Sequence, residues 1–428
     1  MMSVSRFALV AALALGGSAV FLADAADAQR AGRGRQQPAP AQVQAQGRQL
    51  NLSAAERAVL VPLDAAARGT DRAAQDAALA AARAAVSGAD ARYAFARYQM
   101  QIAIQRNDSA MLSQAVDMAI ASGVAPPEEL PTFLSSQADL AIAARDNAKA
   151  ERALSRLAEL QPGNVDLQAR LAQLRVNQGR VVEGLRSLQA AIAARQTAGQ
   201  PAPESWYRFG LARSYDSRDA AVRAQSLGFA RGLVTAYPTA VNWRDALLIY
   251  REAAGLDAQA NLDLSRLMLA AGALAGERDY YDFANTLNQA GYPAEAKAVL
   301  DAGISRRMVD ASRSPFRELI STANGRLAAD RADLPTSQRT ALAGATGTPA
   351  LRTGDAFFGY ARYPEAIALY RAALQKGGVD ANVVNTRLGI AHALAGQSAE
   401  AEAAFRAVTG PRADLAAFWM LWLQQRGR

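Results

Sequence analysis

The chain has 428 residues, about a quarter of them Ala, with no Cys, a single His and a formal net charge of +8. Without Cys there can be no disulfide, no thiol nucleophile and no lipid-bearing cysteine, and one His cannot make the usual His/Cys metal site, so no metal and no catalytic triad is expected. The basic balance is mild and spread along the chain with no dense Lys/Arg run, which argues against nucleic acid and permits acidic peptides or anionic polysaccharide as partners.

Residues 1–28 have the layout of an export signal: Arg6 is the positive start, Phe7 to Leu22 is apolar, and Ala26-Asp27-Ala28 is a small-x-small cleavage site. The apolar run is short of the ~20 residues that a spanning helix needs, so the mature chain is expected to carry no transmembrane segment. Lys occurs only at 149, 297 and 376, Arg carrying the rest of the basic charge. With so much Ala this points to GC-rich bacterial coding, and the expected destination is the periplasm. Residues 29–51, rich in Gln, Pro, Ala and Arg and free of acidic residues, read as a disordered basic linker.

Order is expected from residue 52. Ser53-Ala54-Ala55-Glu56 is a capping box that starts the first helix. Helices then alternate with short breaks: Gly69-Thr70-Asp71, Ser87-Gly88, Asn107-Asp108, Pro126-Pro127 and Asp146-Asn147. Ala150, Leu154, Leu157 and Pro162 give an A-x₃-L-x₂-L-x₄-P segment, and Gly179 holds the next turn. Pro201-Ala202-Pro203 is a short insertion, after which Trp206, Phe209 and Gly210 open a further unit and Trp243, Ala246 and Leu247 another. Residues 309–350 are the least regular, with Ser314-Pro315, Asn324-Gly325, Pro335 and Gly344 to Gly347, and read as an irregular helical segment or hinge. A regular block, 351–411, follows, and residues 412–428 form a last helix with the apolar run Phe418 to Leu423.

The clearest signal is Asn385-x₂-Leu388-Gly389-x₂-His392-x₃-Gly396-x₄-Ala401-x₃-Phe405. It resembles the tetratricopeptide pattern W-x₂-L-G-x₂-Y…A-x₃-F…P, which recurs about every 34 residues. Ala138 and Ala172 stand one such period apart. Over residues 52–408 the chain resembles bacterial secreted tetratricopeptide-repeat proteins. The resemblance implies an all-α fold, a right-handed α-solenoid of about ten stacked antiparallel helix pairs with a C-terminal capping helix over 412–428. Large residues fill the gap between paired helices and small ones sit where helices nearly touch, so stacking of several pairs is needed to bury the apolar faces.

The resemblance also implies a concave face that holds a peptide or protein. Some members clamp a carboxylate with Lys, Arg and Asn on the inner helices; the Lys residues are missing here. On register, the inner-helix residues are Arg170, Gln173, Asn177, Tyr207, Arg208, Ser214, Arg244 and Arg251, and these are the expected partner-binding residues, using polar contacts and Arg–carboxylate pairing.

Other features read as structural. His392 takes a slot that the pattern fills with Tyr and is expected to be packed. Glu128-Glu129 sits in the first turn of a helix, where acids complement the dipole. Residues 277–283, with Tyr280, Tyr281, Asp279 and Asp282, form the densest polar-aromatic cluster. No Gly-rich phosphate loop follows a strand, so no cofactor is expected. The function expected is a non-enzymatic scaffold of the bacterial cell envelope that binds another envelope protein or peptide. The alternative is a component that binds or exports polysaccharide or peptidoglycan. A third is an all-helical glycan-active enzyme, which would need two carboxyl groups within about ten ångströms.

Overall fold

A computed structural model describes residues 21–22, 43–45 and 48–427, with side chains from Leu50 to Gly427. The export-signal reading and most of the linker reading lie outside these residues. Three short antiparallel strands, Phe21–Leu22, Val43–Ala45 and Arg48–Gln49, precede the helices. Two compact units follow, dividing between Ala198 and Gly199, just before the Pro201-Ala202-Pro203 insertion.

Among the described residues the first unit holds eight helices: α1 (Ala54–Arg68), α2 (Arg72–Ala85), α3 (Ala89–Arg106), α4 (Ser109–Ala121), α5 (Leu130–Ala143), α6 (Asn147–Leu160), α7 (Val165–Asn177) and α8 (Val181–Thr197). They pack as four successive pairs. Short polar residues start most of them: Asp71, Asp108, Asp146 and Asn164 each accept backbone amides of the turn they cap, satisfying donors that a helix start leaves orphaned. Asn107 closes α3 in the left-handed region (φ 54°), a conformation Asn tolerates.

The capping box at α1 is present, and it does more than start a helix. The Glu56 carboxylate accepts the Ser53 amide at 2.9 Å, and its other oxygen accepts Gly88 N–H at 2.9 Å and Ser87 N–H at 3.2 Å across the α2–α3 turn. Gly88, then Ser53, hold its pKa down at about 2 despite its burial. One carboxylate thus fixes the start of α1 to the start of α3.

The second unit holds α9 (Glu204–Tyr215), α10 (Ala220–Arg223), α11 (Ser226–Ala236), α12 (Ala240–Ala254), α13 (Ala258–Ala270), α14 (Glu277–Ala290), α15 (Pro293–Ser305), α16 (Ser314–Ala343), α17 (Gly347–Gly359), α18 (Tyr363–Lys376), α19 (Ala381–Leu394), α20 (Ser398–Arg406) and α21 (Ala413–Arg426). Pairing runs α9 with α11, α12 with α13, α14 with α15, α17 with α18 and α19 with α20. Residues 309–350 correct the sequence reading. Most of them, Ser314–Ala343, form the single 30-residue helix α16, which passes through Asn324-Gly325 and Pro335 without a break, and 347–350 begin α17.

The repeat pattern has a direct steric cause here. A Cβ on Gly389 would lie 2.5 Å from the Phe405 ring, one on Gly210 2.3 Å from Phe229, and one on Gly354 2.7 Å from Tyr370. In each pair the glycine of the first helix is the seat for the aromatic ring of the second. Gly389→Ala is therefore expected to lower unit 2 stability by about 1–3 kcal/mol through overpacking. A fall in the denaturant midpoint would show this, and an unchanged midpoint would contradict it.

The last helix reaches further than the final repeat. Trp419 stacks on Phe405 with ring centroids 6.2 Å apart. On another face Phe418 meets Trp243 at 6.2 Å and Tyr250 at 5.5 Å, both on α12. Gln425 accepts Trp243 Nε1–H at 3.1 Å and donates to the Val234 carbonyl, and Asp414 pairs with Arg231 at 2.6 Å. The second unit therefore curls until its end packs on its beginning. Among the described residues no helix is long and apolar enough to cross a membrane.

At the seam lies a cluster of charges that the sequence reading missed. Asp263 of α13, fully buried, accepts Arg266 Nη1 at 2.8 Å, Arg412 Nη1 at 2.7 Å and Arg387 Nε at 3.4 Å. Arg266 also makes a two-pronged bond to Glu295, both contacts at 2.7 Å, and Arg387 Nη1 donates to Asp355 at 2.6 Å. Tyr370 and Tyr292 donate to the two Asp355 oxygens at 2.8 and 3.0 Å. Three acids meet three arginines from α13, α15, α17, α19 and the turn before α21, so the charges cancel. Burial alone would raise the Asp263 pKa; Arg387, Arg266 and Arg412 outweigh it and hold the group below the usual range.

Candidate functional site

Helices α12, α13 and α14 line a half-open cavity of about 190 Å³. Its wall carries Arg251 from α12, Ser265 and Met268 from α13, and Asp279, Asp282 and Phe283 from α14. The α13–α14 connection brings the acidic first turn of α14 opposite α12. There Arg244 forms an ion pair with Asp279 and donates to the Ala273 carbonyl at 3.1 Å, while Asp279 also accepts Ala275 N–H at 2.8 Å. Asp279 is thus engaged on both oxygens.

Arg251, two turns further along α12, is left under-satisfied. Its Nη2 donates to the Met268 thioether at 3.2 Å, a weak acceptor. Its Nε is buried without a hydrogen-bond partner among the described residues. Burial draws the guanidinium pKa below the usual arginine range; Asp279 partly restores it and Arg244 adds to the fall. The group stays charged at any physiological pH, so a carboxylate entering the cavity would gain a charge-assisted bond to a guanidinium already stripped of part of its water. Asp282 stands mainly in solvent at the rim, with Arg278 at 3.6 Å.

The eight residues expected on register divide by unit. In the first unit Arg170 is paired with Asp139 of α5, whose pKa burial raises and Arg170 draws back. Gln173 is half-buried and Asn177 exposed on the same helix, α7. In the second unit Arg208 is exposed, bonded to Glu204 at 2.7 Å and to Asn242 at 2.9 Å. Two residues are corrected. Tyr207 is 1% exposed, packed over Gly232 and edge-on to Tyr237, and Ser214 is 0% exposed with its hydroxyl returned to the Gly210 carbonyl at 2.8 Å. Both are packing residues and face no partner. Of the two α12 arginines, Arg251 lines the cavity and Arg244 holds its wall residue Asp279. Asp279 and Asp282, taken in sequence for a cluster of their own, form its opposite wall.

The remaining candidates have structural partners. Glu129 is buried and accepts Tyr93 O–H at 2.5 Å and Arg97 at 2.9 Å. His392 is 3% exposed, with Nδ1 2.5 Å from Gln397 Oε1. Among the described residues no group of three or more His, Asp or Glu side chains is placed to hold a metal ion.

No family model matches the sequence, and no curated protein matches it. Among solved structures the chain is similar to a tetratricopeptide repeat protein from Parabacteroides merdae, at 12% identity and a TM-score of 0.24, over 69% of this chain and 99% of that one. It is also similar to the structure of Naa15/Naa10 bound to HypK-THB, at 13% identity and a TM-score of 0.22, over 87% of this chain and 73% of that one. Likenesses of this size carry nothing about activity or partner. The successive paired helices, three pairs of the second unit with a glycine of one helix under a ring of the other, make this an all-α solenoid fold with tetratricopeptide-like packing.

Proposed function

We propose that this is a binding scaffold of the bacterial cell envelope, which takes a carboxylate-bearing segment of a protein partner in the cavity between α12, α13 and α14. The observation that carries the reading is Arg251: a guanidinium in a cavity wall with a thioether for its one acceptor and a buried Nε without any. An unmade bond at a buried donor costs about 1–3 kcal/mol, and a partner carboxylate recovers it. Arg244 steadies the site by occupying Asp279, which would otherwise be the natural mate of Arg251. The envelope location rests on the export-signal layout of residues 1–28.

Selection of random displayed peptides on the full chain tests the site. Enriched peptides are expected to carry Asp, Glu or a free C-terminal carboxylate. Arg251→Gln, which removes the charge without breaking an ion pair, is expected to weaken their binding at least tenfold with helicity unchanged. Enrichment of neutral peptides, or binding indifferent to Arg251→Gln, would contradict the proposal.

A further inference from the structure

Most polar side chains around the Arg251 cavity are already committed. Ser265 donates its hydroxyl to the Asn261 carbonyl at 2.9 Å, and Thr286 donates to the Asp282 carbonyl at 2.7 Å. The Asn261 amide donates to the Leu256 and Asp257 carbonyls at 2.9 and 3.1 Å. Asp279 is held by Arg244 and by the Ala275 amide. Among the lining side chains Arg251 alone keeps a buried donor without a partner. The rest of the wall is hydrocarbon and thioether: Leu262, Met268, Leu274 and Phe283, each less than a tenth exposed.

This inventory selects against several ligand classes. A sugar needs donors and acceptors in several directions, and one guanidinium does not supply them. A second carboxylate would meet the Asp279 and Asp282 wall, where like charges repel. What the cavity favours is one carboxylate joined to a compact apolar body. Its charge bonds Arg251, and its hydrocarbon leaves water for the leucine, methionine and phenylalanine wall. Volume sets the size. Pockets for drug-sized ligands span about 300–1,000 Å³, whereas about 190 Å³ holds about six water-sized groups of about 30 Å³ each. A carboxylic acid of about five carbons fills that space.

We infer that the Arg251 cavity binds a free short-chain monocarboxylic acid, which displaces the partner's carboxylate and so regulates the scaffold. The displacement rests on the partner's use of Arg251; binding of the acid does not.

Isothermal titration of the full chain with pentanoate, acetate, pentanamide and glutarate tests this. Pentanoate is expected to bind saturably and at least tenfold tighter than each of the others. Acetate lacks the chain, which is worth about fourfold per buried methylene; pentanamide lacks the charge, and glutarate adds a second one. Arg251→Gln is expected to weaken pentanoate at least tenfold with helicity unchanged. Pentanoate is also expected to release Arg251-dependent peptides from the parent chain. No saturable binding of pentanoate, or acetate, pentanamide or glutarate bound as tightly, would overturn the inference, and this series on the parent chain decides it even where the variant fails to fold. Arg251-dependent peptides without pentanoate binding would overturn the inference and leave the partner reading standing. Pentanoate binding without such peptides would overturn the partner reading and the displacement and leave the acid site standing.

Discussion

Asp263→Ala is expected to destabilise the second unit by about 3–5 kcal/mol, the usual cost of removing one partner from a buried charge group. Asp263 is fully buried and accepts bonds from Arg266, Arg387 and Arg412. Its removal leaves three guanidiniums facing one another with Glu295 and Asp355 alone to balance them. Arg412 has the least left, its remaining contact being Asp257 at 3.5 Å. Because Arg412 lies in the turn before α21, the loss also weakens the return of that helix onto α12. The measurement is convenient, since all four Trp residues (206, 243, 419 and 422) lie in the second unit. Their fluorescence in a urea titration of the variant is expected to show a sharply lower midpoint. Asp301→Ala, which breaks an exposed pair with Lys297 at 2.6 Å, supplies the contrast; exposed pairs contribute about 0–1 kcal/mol. Equal effects of the two substitutions would mean that the buried cluster does not hold the seam.

Glu56→Gln is expected to cost the first unit about 3 kcal/mol at neutral pH. The figure follows from a pKa lowered from 4.5 to about 2, at about 1.4 kcal/mol per unit. The carboxylate is ionised in the folded chain and bonded to the amides of Ser53, Ser87 and Gly88. A lowered pKa contributes stability that is complete above the unfolded value, near pH 4.5, and is lost as pH falls through the folded value, near 2. The parent is thus expected to lose protection of α1 and the start of α3 over that window, read by amide hydrogen exchange. Glu56→Gln should show weak protection at every pH and no slope of its own there. A variant with the parent's pH dependence would contradict the assignment.

How far the sequence foretold these features follows from how local each one is. The capping box at Ser53 and Glu56 is set by residues three apart and was legible. So was the glycine-under-ring pairing, because Gly389 and Phe405 stand at a spacing fixed by two helices and one turn. The second role of Glu56, at Gly88, depends on a helix hairpin that its own neighbours do not encode. The α16 helix was misread because Asn324-Gly325 and Pro335 are local breakers. After Phe316, Leu319 and Ala323 no residue is buried until Leu334, so no apolar periodicity marked it as one helix. Register placed Arg244 and Arg251 on one face of α12, but it also placed Tyr207 and Ser214 on the surface, where α9 in fact buries them. The Asp263 cluster was out of reach: Asp263 and Arg412 are 149 residues apart, and only the curling of the unit brings them together. Its one sequence trace is a charged pair, Asp263 and Arg266, set among Leu262, Leu264 and Leu267 on an otherwise apolar face.

The most direct test of the scaffold reading is quantitative co-purification of tagged parent chain and its Arg251→Gln variant from the native envelope fraction, at low and high salt, with protein and glycan both analysed. The account expects one protein in stoichiometric amount with the parent, reduced at least tenfold with the variant and weakened by salt. The same protein recovered equally by both chains, or glycan recovered without protein, would contradict it.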